Sequence, residues 1–559
     1  MTTFTASLAA AAPAAVPARR RPLTVLQKLL IPAGAVLFDG LFWHRGAGLN
    51  LALYTVFVLG ATLAGLPRHA PVWRSGYFRL LLAGTLLSAG GVVWYGSGAA
   101  QLACVISLTV LLGFVNQPHL KLVAYALLTA VGGAAQAVAG LLPYLRLPQD
   151  RASRWPRTRF YLRLLVLPLL ILGVFHVLFL LANPRYSALV GAVLDQLGKW
   201  LAALWPNFSL PHLLFFLLGL VLTAGALVVV PFHFFQDQES RFGELVRRQR
   251  DRVASLGVRR PDFRTRDRGA LDLRKEYLAA LAVFGLVNGL LLVVNIIDVR
   301  WIWFGFVPAP GFDLTQFVHE GTYVLILSIL VAMGIVLWFF RRNLNFYAPG
   351  LAALRWGATV WVGQNAVLAV SVGLRNYYYI LHTGLAYKRI GVYGFLLLTF
   401  FGLITVLLKI WQRRSAFALV RLNSLAAYGL LLLLALGNWE IWIARYNLNP
   451  RFQTLDLGFL LEMPARVLPE LAARQAVLDG MSRIIISPPG SYNETTATPA
   501  QARAAIQHRL AQWRRQYPRT AHWQSWTRAE SAAFAHTPPP APRRLRRGIL
   551  RERGARRKP

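Results

Sequence analysis

Apolar runs of about twenty residues alternate along the chain with short polar or basic connections. About that many helical residues cross the hydrocarbon core of a bilayer. The pattern therefore predicts an all-α fold, a polytopic helical membrane bundle. Spans are expected near residues 48–66, 77–95, 98–115, 119–142, 161–182, 211–235, 276–297, 318–340, 353–373, 390–411 and 423–444. A further segment, 25–43, is interrupted by Pro32 and Asp39 and reads either as a span or as an interfacial helix, giving eleven or twelve crossings. Residues 186–205 place Asp195 and Lys199 four apart on an otherwise apolar helix, which suits the membrane interface better than a crossing.

The polar segments divide the chain further. Residues 1–22 are rich in Ala and Pro and are expected to be disordered, ahead of a bundle over 23–445. The longest internal hydrophilic stretch, 236–275, holds 12 Lys+Arg against seven Asp+Glu and reads as a cytoplasmic loop. Basic residues also gather at 146–163 and 412–421, and all three connections can share the cytoplasmic side. Residues 446–537 then form an extracytoplasmic amphipathic and helical region, and 538–559 a basic tail. Counting back through twelve spans puts Arg19–Arg21 outside, against the positive-inside rule. Removing 25–43 from the count leaves Arg68 and Arg74 outside instead.

Composition agrees with the pattern. Of 559 residues 56% are hydrophobic and 15% charged, where a soluble chain carries about 25% charged. The net charge of +38 would suggest nucleic acid in a soluble protein. Here the positive residues sit between apolar runs and at the two ends, so orientation and anionic lipid headgroups explain them, and no nucleic-acid partner is expected. The expected partners are the bilayer itself and an anionic lipid or another envelope protein. Cys104, the sole cysteine, excludes an intrachain disulfide and a cysteine metal site. No P-loop, HExxH, nucleophile elbow or dinucleotide glycine pattern occurs, so neither cofactor nor metal is expected.

The remaining chemistry is placed by topology. The stretch Val372–Ile390 combines an Arg, three successive Tyr, a His and a Lys-Arg pair between two apolar runs. With sides alternating, one membrane face gathers Asp298, Arg300, His319, Glu320, Arg375, Tyr379, His382, Glu440 and Arg445. A carboxylate near a histidine can form an acid/base pair, and arginines can hold a phosphate or carboxylate. One arrangement has Arg375 pairing Glu320 beside His319. The competing reading makes these residues interfacial anchors and neutralises Asp298 with Arg300. Asn288, Asn295, Gln364 and Asn365 suit interhelical hydrogen bonds. Asp39, alone in an apolar stretch, is the more suggestive intramembrane charge.

Several motifs resemble one uncharacterised family of bacterial multi-pass membrane proteins, the domain of unknown function 4173, with 4153 as a related family. They are QFVHEGTY (316–323), FFRRNLNFY (339–347), RNYYYILHTGLAYKRIGV (375–392), ARYN (444–447) and LDLGFLLEMPARVLPEL (455–471). FDGLF (38–42), ANP (182–184) and HWQSW (522–526) are similar more weakly. The resemblance implies an integral protein of the bacterial cytoplasmic membrane and brings no activity, substrate or catalytic residue with it. The function expected is an envelope sensor, scaffold or assembly component. The alternative is a lipid-handling transferase or transporter with a His/Glu/Arg pocket.

Overall fold

The structure is a computed structural model. It describes residues 23–141, 168, 171–204, 209–228, 234–246, 273–304, 306, 314–341, 343–486 and 495–537. Among the described residues, eight helices are long and apolar enough to cross a membrane, and three shorter apolar ones accompany them. In chain order they are α1 (Val25–Phe42), α2 (Leu49–Ala64), α3 (Gly76–Tyr95), α4 (Gly98–Asn116), α5 (Val123–Leu141), α8 (Leu210–Leu227), α10 (Leu273–Asp298), α11 (Leu314–Phe339), α12 (Leu351–Thr383), α13 (Tyr387–Gln412) and α14 (Ala416–Ala435). Between α5 and α8 lie α6 (Ile171–Ala182) and α7 (Pro184–Leu204), bent by 115° at Asn183. A short helix, α9 (Phe234–Ser240), follows α8.

Cross-links fix which helix ends lie together. At the lower end the Glu239 carboxylate accepts from the Lys121 and Leu122 amides, Arg421 pairs with Glu244, and Leu245 forms a β-bridge with Arg414. At the upper end Asp39 meets His212 and Asp298 meets Arg375. Exposed aromatic side chains mark both levels: Trp73, Trp338, Trp356 and Trp411 below, Trp94, Trp301, Tyr377 and Trp442 above. Trp356 and Tyr377 are 21 positions apart on α12, about 31 Å of helix, which matches a hydrocarbon core of about 30 Å between two aromatic belts.

The eleven helices alternate in direction, and α1, long and apolar enough to cross, begins at the lower end, where Gln27 donates to the Leu227 carbonyl. The bent pair α6–α7 stands between α5, which ends at the upper end, and α8, which begins there. The α5 helix ends at the upper end, opposite 412–421, and the basic connection 146–163 lies outside the described residues. The α7 helix covers the segment expected at the interface, and the bend at Asn183 sets it within 25° of perpendicular to α6.

Three boundaries differ from the expected ones for identifiable reasons. The polar stretch after residue 373 stays helical for nearly three more turns, through the Tyr triplet and His382. It stops at Gly384, whose φ of +83° only glycine adopts readily. The run 423–444 is two helices, because the chain turns at Gly437–Asn438 before α15 (Trp439–Asn447). The C-terminal region is not purely helical. The strand β1 (Thr454–Asp456) pairs in parallel with β2 (Arg483–Ile486), which pairs antiparallel with β3 (Thr495–Ala497). Around this sheet pack α16 (Leu457–Glu462), α17 (Leu468–Ala473), α18 (Pro499–Thr520) and α19 (Arg528–Ala535). Thr498 and Gln501 form a capping box with Pro499 at the first position, which starts α18. Ile506, Leu510 and Trp513 recur along α18 and bury against Leu460, Leu471 and Ile484.

Candidate functional site

The C-terminal unit sits on the upper end of the bundle, and small residues let it approach. Ser75 and Ser97 cap α3 and α4, and Gly96, at φ +60°, turns the chain between them. A Cβ on Gly96 would strike Thr527, and one on Gly48 would strike the Ser525 carbonyl. The Leu49 amide donates to the Trp526 carbonyl at 3.0 Å. Arg466, buried in the turn before α17, donates through Nη1 to the Tyr95 carbonyl, and its Nη2 lies 2.7 Å from Glu440 Oε1. Arg445 and Glu470 add a two-point bridge at 3.0 and 3.2 Å, which Arg474 joins at 2.7 Å.

Between unit and bundle lies a cleft of about 320 Å³. Gly46, Ala47 and Gly96 form its bundle wall, and Arg466, Tyr517, His522, Trp523, Trp526 and Glu530 its other walls. Thr527 caps α19 and accepts from the Glu530 amide at 3.4 Å, which fixes Glu530 in the first turn. The Glu530 carboxylate makes no hydrogen bond and no ion pair among the described residues. Burial pushes its carboxyl above the usual glutamate range, with the Arg466 charge pulling the other way. Burial and the Glu530 charge raise the Tyr517 hydroxyl. At Glu470, burial acts upward but the two arginines outweigh it and hold the carboxyl below its usual range. A second cleft of about 380 Å³ separates the 383–389 turn from Asn447, Phe452 and Asp456. Arg389 forms part of its wall, donating to the Thr383 and Gly384 carbonyls and covering the Tyr379 ring at 4.3 Å.

The residues singled out by topology fall into separate groups at the upper end. Asp298 and Arg375 form a buried pair at 2.7 Å, so the partner of Asp298 is Arg375 and not Arg300, which is exposed. His319 and Glu320 fall within α11, and their side chains lie outside the described part. Tyr379 is buried under Arg389, whereas His382 is exposed, its Nδ1 2.8 Å from the Tyr378 carbonyl. Glu440 stands behind the first cleft, and Arg445 reaches Glu470 instead. Asp39 meets His212, whose Nε2 lies 2.9 Å from both oxygens with the Trp43 ring stacked on the imidazole.

The amides join helices: Gln364 donates to Asn288 Oδ1 at 2.8 Å, Asn288 to the Gly357 carbonyl at 3.0 Å, and Asn295 to the Gln364 carbonyl at 3.1 Å. Asn365 bonds only within its own helix, to the Trp361 carbonyl. Sequence reasoning missed Arg466, His522, Trp523 and Glu530. The available signals were the quoted LDLGFLLEMPARVLPEL and HWQSW motifs, which it treated as likeness without chemistry. Among the described residues no group of His, Cys, Asp and Glu is placed to hold a metal ion.

No match was found among curated proteins or among solved structures. The profile of one family, "Domain of unknown function (DUF4153)", covers residues 78–473, from the start of α3 to the end of α17. That stretch holds most of the bundle, Glu440 and Arg466, while the α18–α19 wall of the first cleft lies beyond it. With well over half its length matched, this multi-pass membrane protein belongs to the DUF4153 family.

Proposed function

We propose that the protein is a ligand-holding component of the bacterial envelope, a sensor or assembly factor of the cytoplasmic membrane. The lower, basic end faces the cytoplasm and the C-terminal unit the outside. One observation carries the reading: the 320 Å³ cleft takes one wall from the bundle and the others from the C-terminal unit. An occupant would touch both parts and so couple the outer unit to the membrane helices. Nothing in the cleft supplies a nucleophile paired to a base, so binding is favoured over catalysis. The finer kinship with family 4173 rests on the QFVHEGTY and RNYYYILHTGLAYKRIGV motifs and belongs with this proposal.

Native mass spectrometry of the protein, extracted with its surrounding lipid, tests the reading. A retained lipid or small molecule is expected on the wild type and not on Trp523→Ala. Identical spectra from the two proteins overturn the assignment.

A further inference from the structure

This inference rests on the ligand-holding reading above and names the chemistry of the ligand. We propose that the cleft between the C-terminal unit and the bundle takes an ammonium group, with Glu530 as its counter-charge and Trp523, Trp526 and Tyr517 as its aromatic walls.

The charge balance inside the cleft points to a cation. Arg466 is the one guanidinium in the lining, and it is already engaged by Glu440 at 2.7 Å and by the Tyr95 carbonyl. Arg528, at the start of α19, lies 3.8 Å over the Trp94 ring on the bundle surface. The remaining titratable lining groups, His522 and Tyr517, make no ion pair with Glu530. Glu440, Arg466 and Glu530 together leave one negative charge uncompensated. A carboxylate held partly out of water without a partner is unfavourable, and a bound cation relieves that cost. An anion would meet the same charge with no free guanidinium to offset it.

The rest of the lining suits an organic cation better than a bare metal ion. Aromatic ring faces carry negative potential and attract ammonium groups within about 6 Å. Trp523 remains 60% exposed and Trp526 39% exposed, so both rings are available to an occupant. A single carboxylate among aromatic rings offers too few oxygens for a hard cation, which takes six or more.

Position adds the source. Gly46 and Gly96 lie in the short upper turns that join α1 to α2 and α3 to α4, next to the Trp94 belt. That is the level of lipid headgroups. The ammonium can thus belong to an aminophospholipid headgroup or to a free amine. Burial raises the Glu530 carboxyl, with the Arg466 charge acting against it, and a bound ammonium stabilises the carboxylate.

The test uses the full-length protein in nanodiscs of phosphatidylglycerol alone, which carries no ammonium, and follows thermal stability. One arm adds free ethanolamine, and the second replaces part of the lipid with phosphatidylethanolamine. A rise in melting temperature in either arm is expected. A response to ethanolamine identifies a free amine, and a response confined to the second arm identifies the headgroup. Glu530→Gln, which keeps shape and removes charge, should weaken the response at least tenfold while its own melting in phosphatidylglycerol stays near wild type. Trp523→Ala should weaken it severalfold.

No response in either arm overturns the proposal, as does an equal response from Glu530→Gln. If native mass spectrometry still shows an occupant that depends on Trp523, the ligand-holding reading survives and only the ammonium assignment fails. If no such occupant is seen, the broader reading fails with it.

Discussion

Removing Arg466 should free the C-terminal unit from the membrane helices. In Arg466→Ala the Glu440 carboxylate stays buried with its 2.7 Å partner gone, and the Tyr95 carbonyl loses its donor. Breaking a buried pair from one side costs about 3–5 kcal/mol. At about 1.4 kcal/mol per decade, that shifts the seated-to-released equilibrium by two to three and a half decades. The remaining ties include the exposed Arg445–Glu470 bridge, the Leu49–Trp526 backbone bond, Arg528 over the Trp94 ring and the two hydrogen bonds between Asn447 and Leu385. An exposed pair contributes at most about 1 kcal/mol, and none of these ties meets the buried Glu440 charge.

Hydrogen exchange on detergent-purified protein reads the effect directly. Amides of α19 and of the Trp523–Thr527 turn should lose protection, while those of α10 and α12 keep theirs. Arg466→Met combined with Glu440→Leu should recover most of the protection, because an apolar pair of similar volume is often neutral in place of a buried ion pair. Unchanged exchange in the single variant would refute the reasoning. So would equal losses in the single and double variants, since the cost would then not come from the orphaned charge.

The other expectations are briefer. Gly46→Cys with Ser525→Cys should form a disulfide on mild oxidation, because a Cβ on Gly46 lies 3.8 Å from the Ser525 Cβ, near the disulfide optimum; a gel-shift assay showing only free thiols would contradict the seating. Gly113→Val should lower the melting temperature by an amount worth at least about 1–3 kcal/mol, since its side chain runs into the Ala126 backbone; wild-type melting would count against the α4–α5 contact. Glu470 titrates low, so its tie to Arg445 and Arg474 is complete above the ordinary glutamate pKa and fades as pH falls through the depressed folded value. Glu470→Gln should therefore flatten acid-induced release of the unit, and an unaltered pH profile would exclude this origin. Cysteines introduced at Ser255 and Ser491 should label from opposite sides of the membrane, Cys104 being buried, and labelling from one side would overturn the topology.

Much of the bundle was legible because twenty apolar residues have few structural options other than a span. What failed to show was where each span stops. Asn376, the Tyr triplet and His382 look like loop residues by polarity, yet they continue α12 to its stop at Gly384. The crossing parity was illegible because α6 and α7 together are apolar enough for a span, and the 115° bend at Asn183 has no signature in the apolar pattern. For the site, topology gathered the charged residues at one end but could not assign partners. Pairing depends on helix rotation and on contacts far along the chain. Asp298 chose Arg375, 77 positions away, over Arg300 on its own turn, and Asp39 found His212 173 positions on. Glu530 carried no local signal that set it apart from an ordinary basic C-terminal helix, and Trp523 only its place in the HWQSW motif.

The bond from Arg466 to the Tyr95 carbonyl spans 371 residues, which has a consequence for biogenesis. At about 5–20 residues per second, roughly 20–75 s separate the synthesis of Tyr95 from that of Arg466. During that interval α1 to α4 are already in place with Gly48, Tyr95 and Gly96 unguarded. The loop closed by this contact is among the longest the chain can make, so its closure is entropically late. A ribosome stalled after α14 would leave an inserted but unlatched bundle, recognisable to quality-control proteases by its bare upper turns. A segment made late thus decides whether helices inserted well before it count as finished.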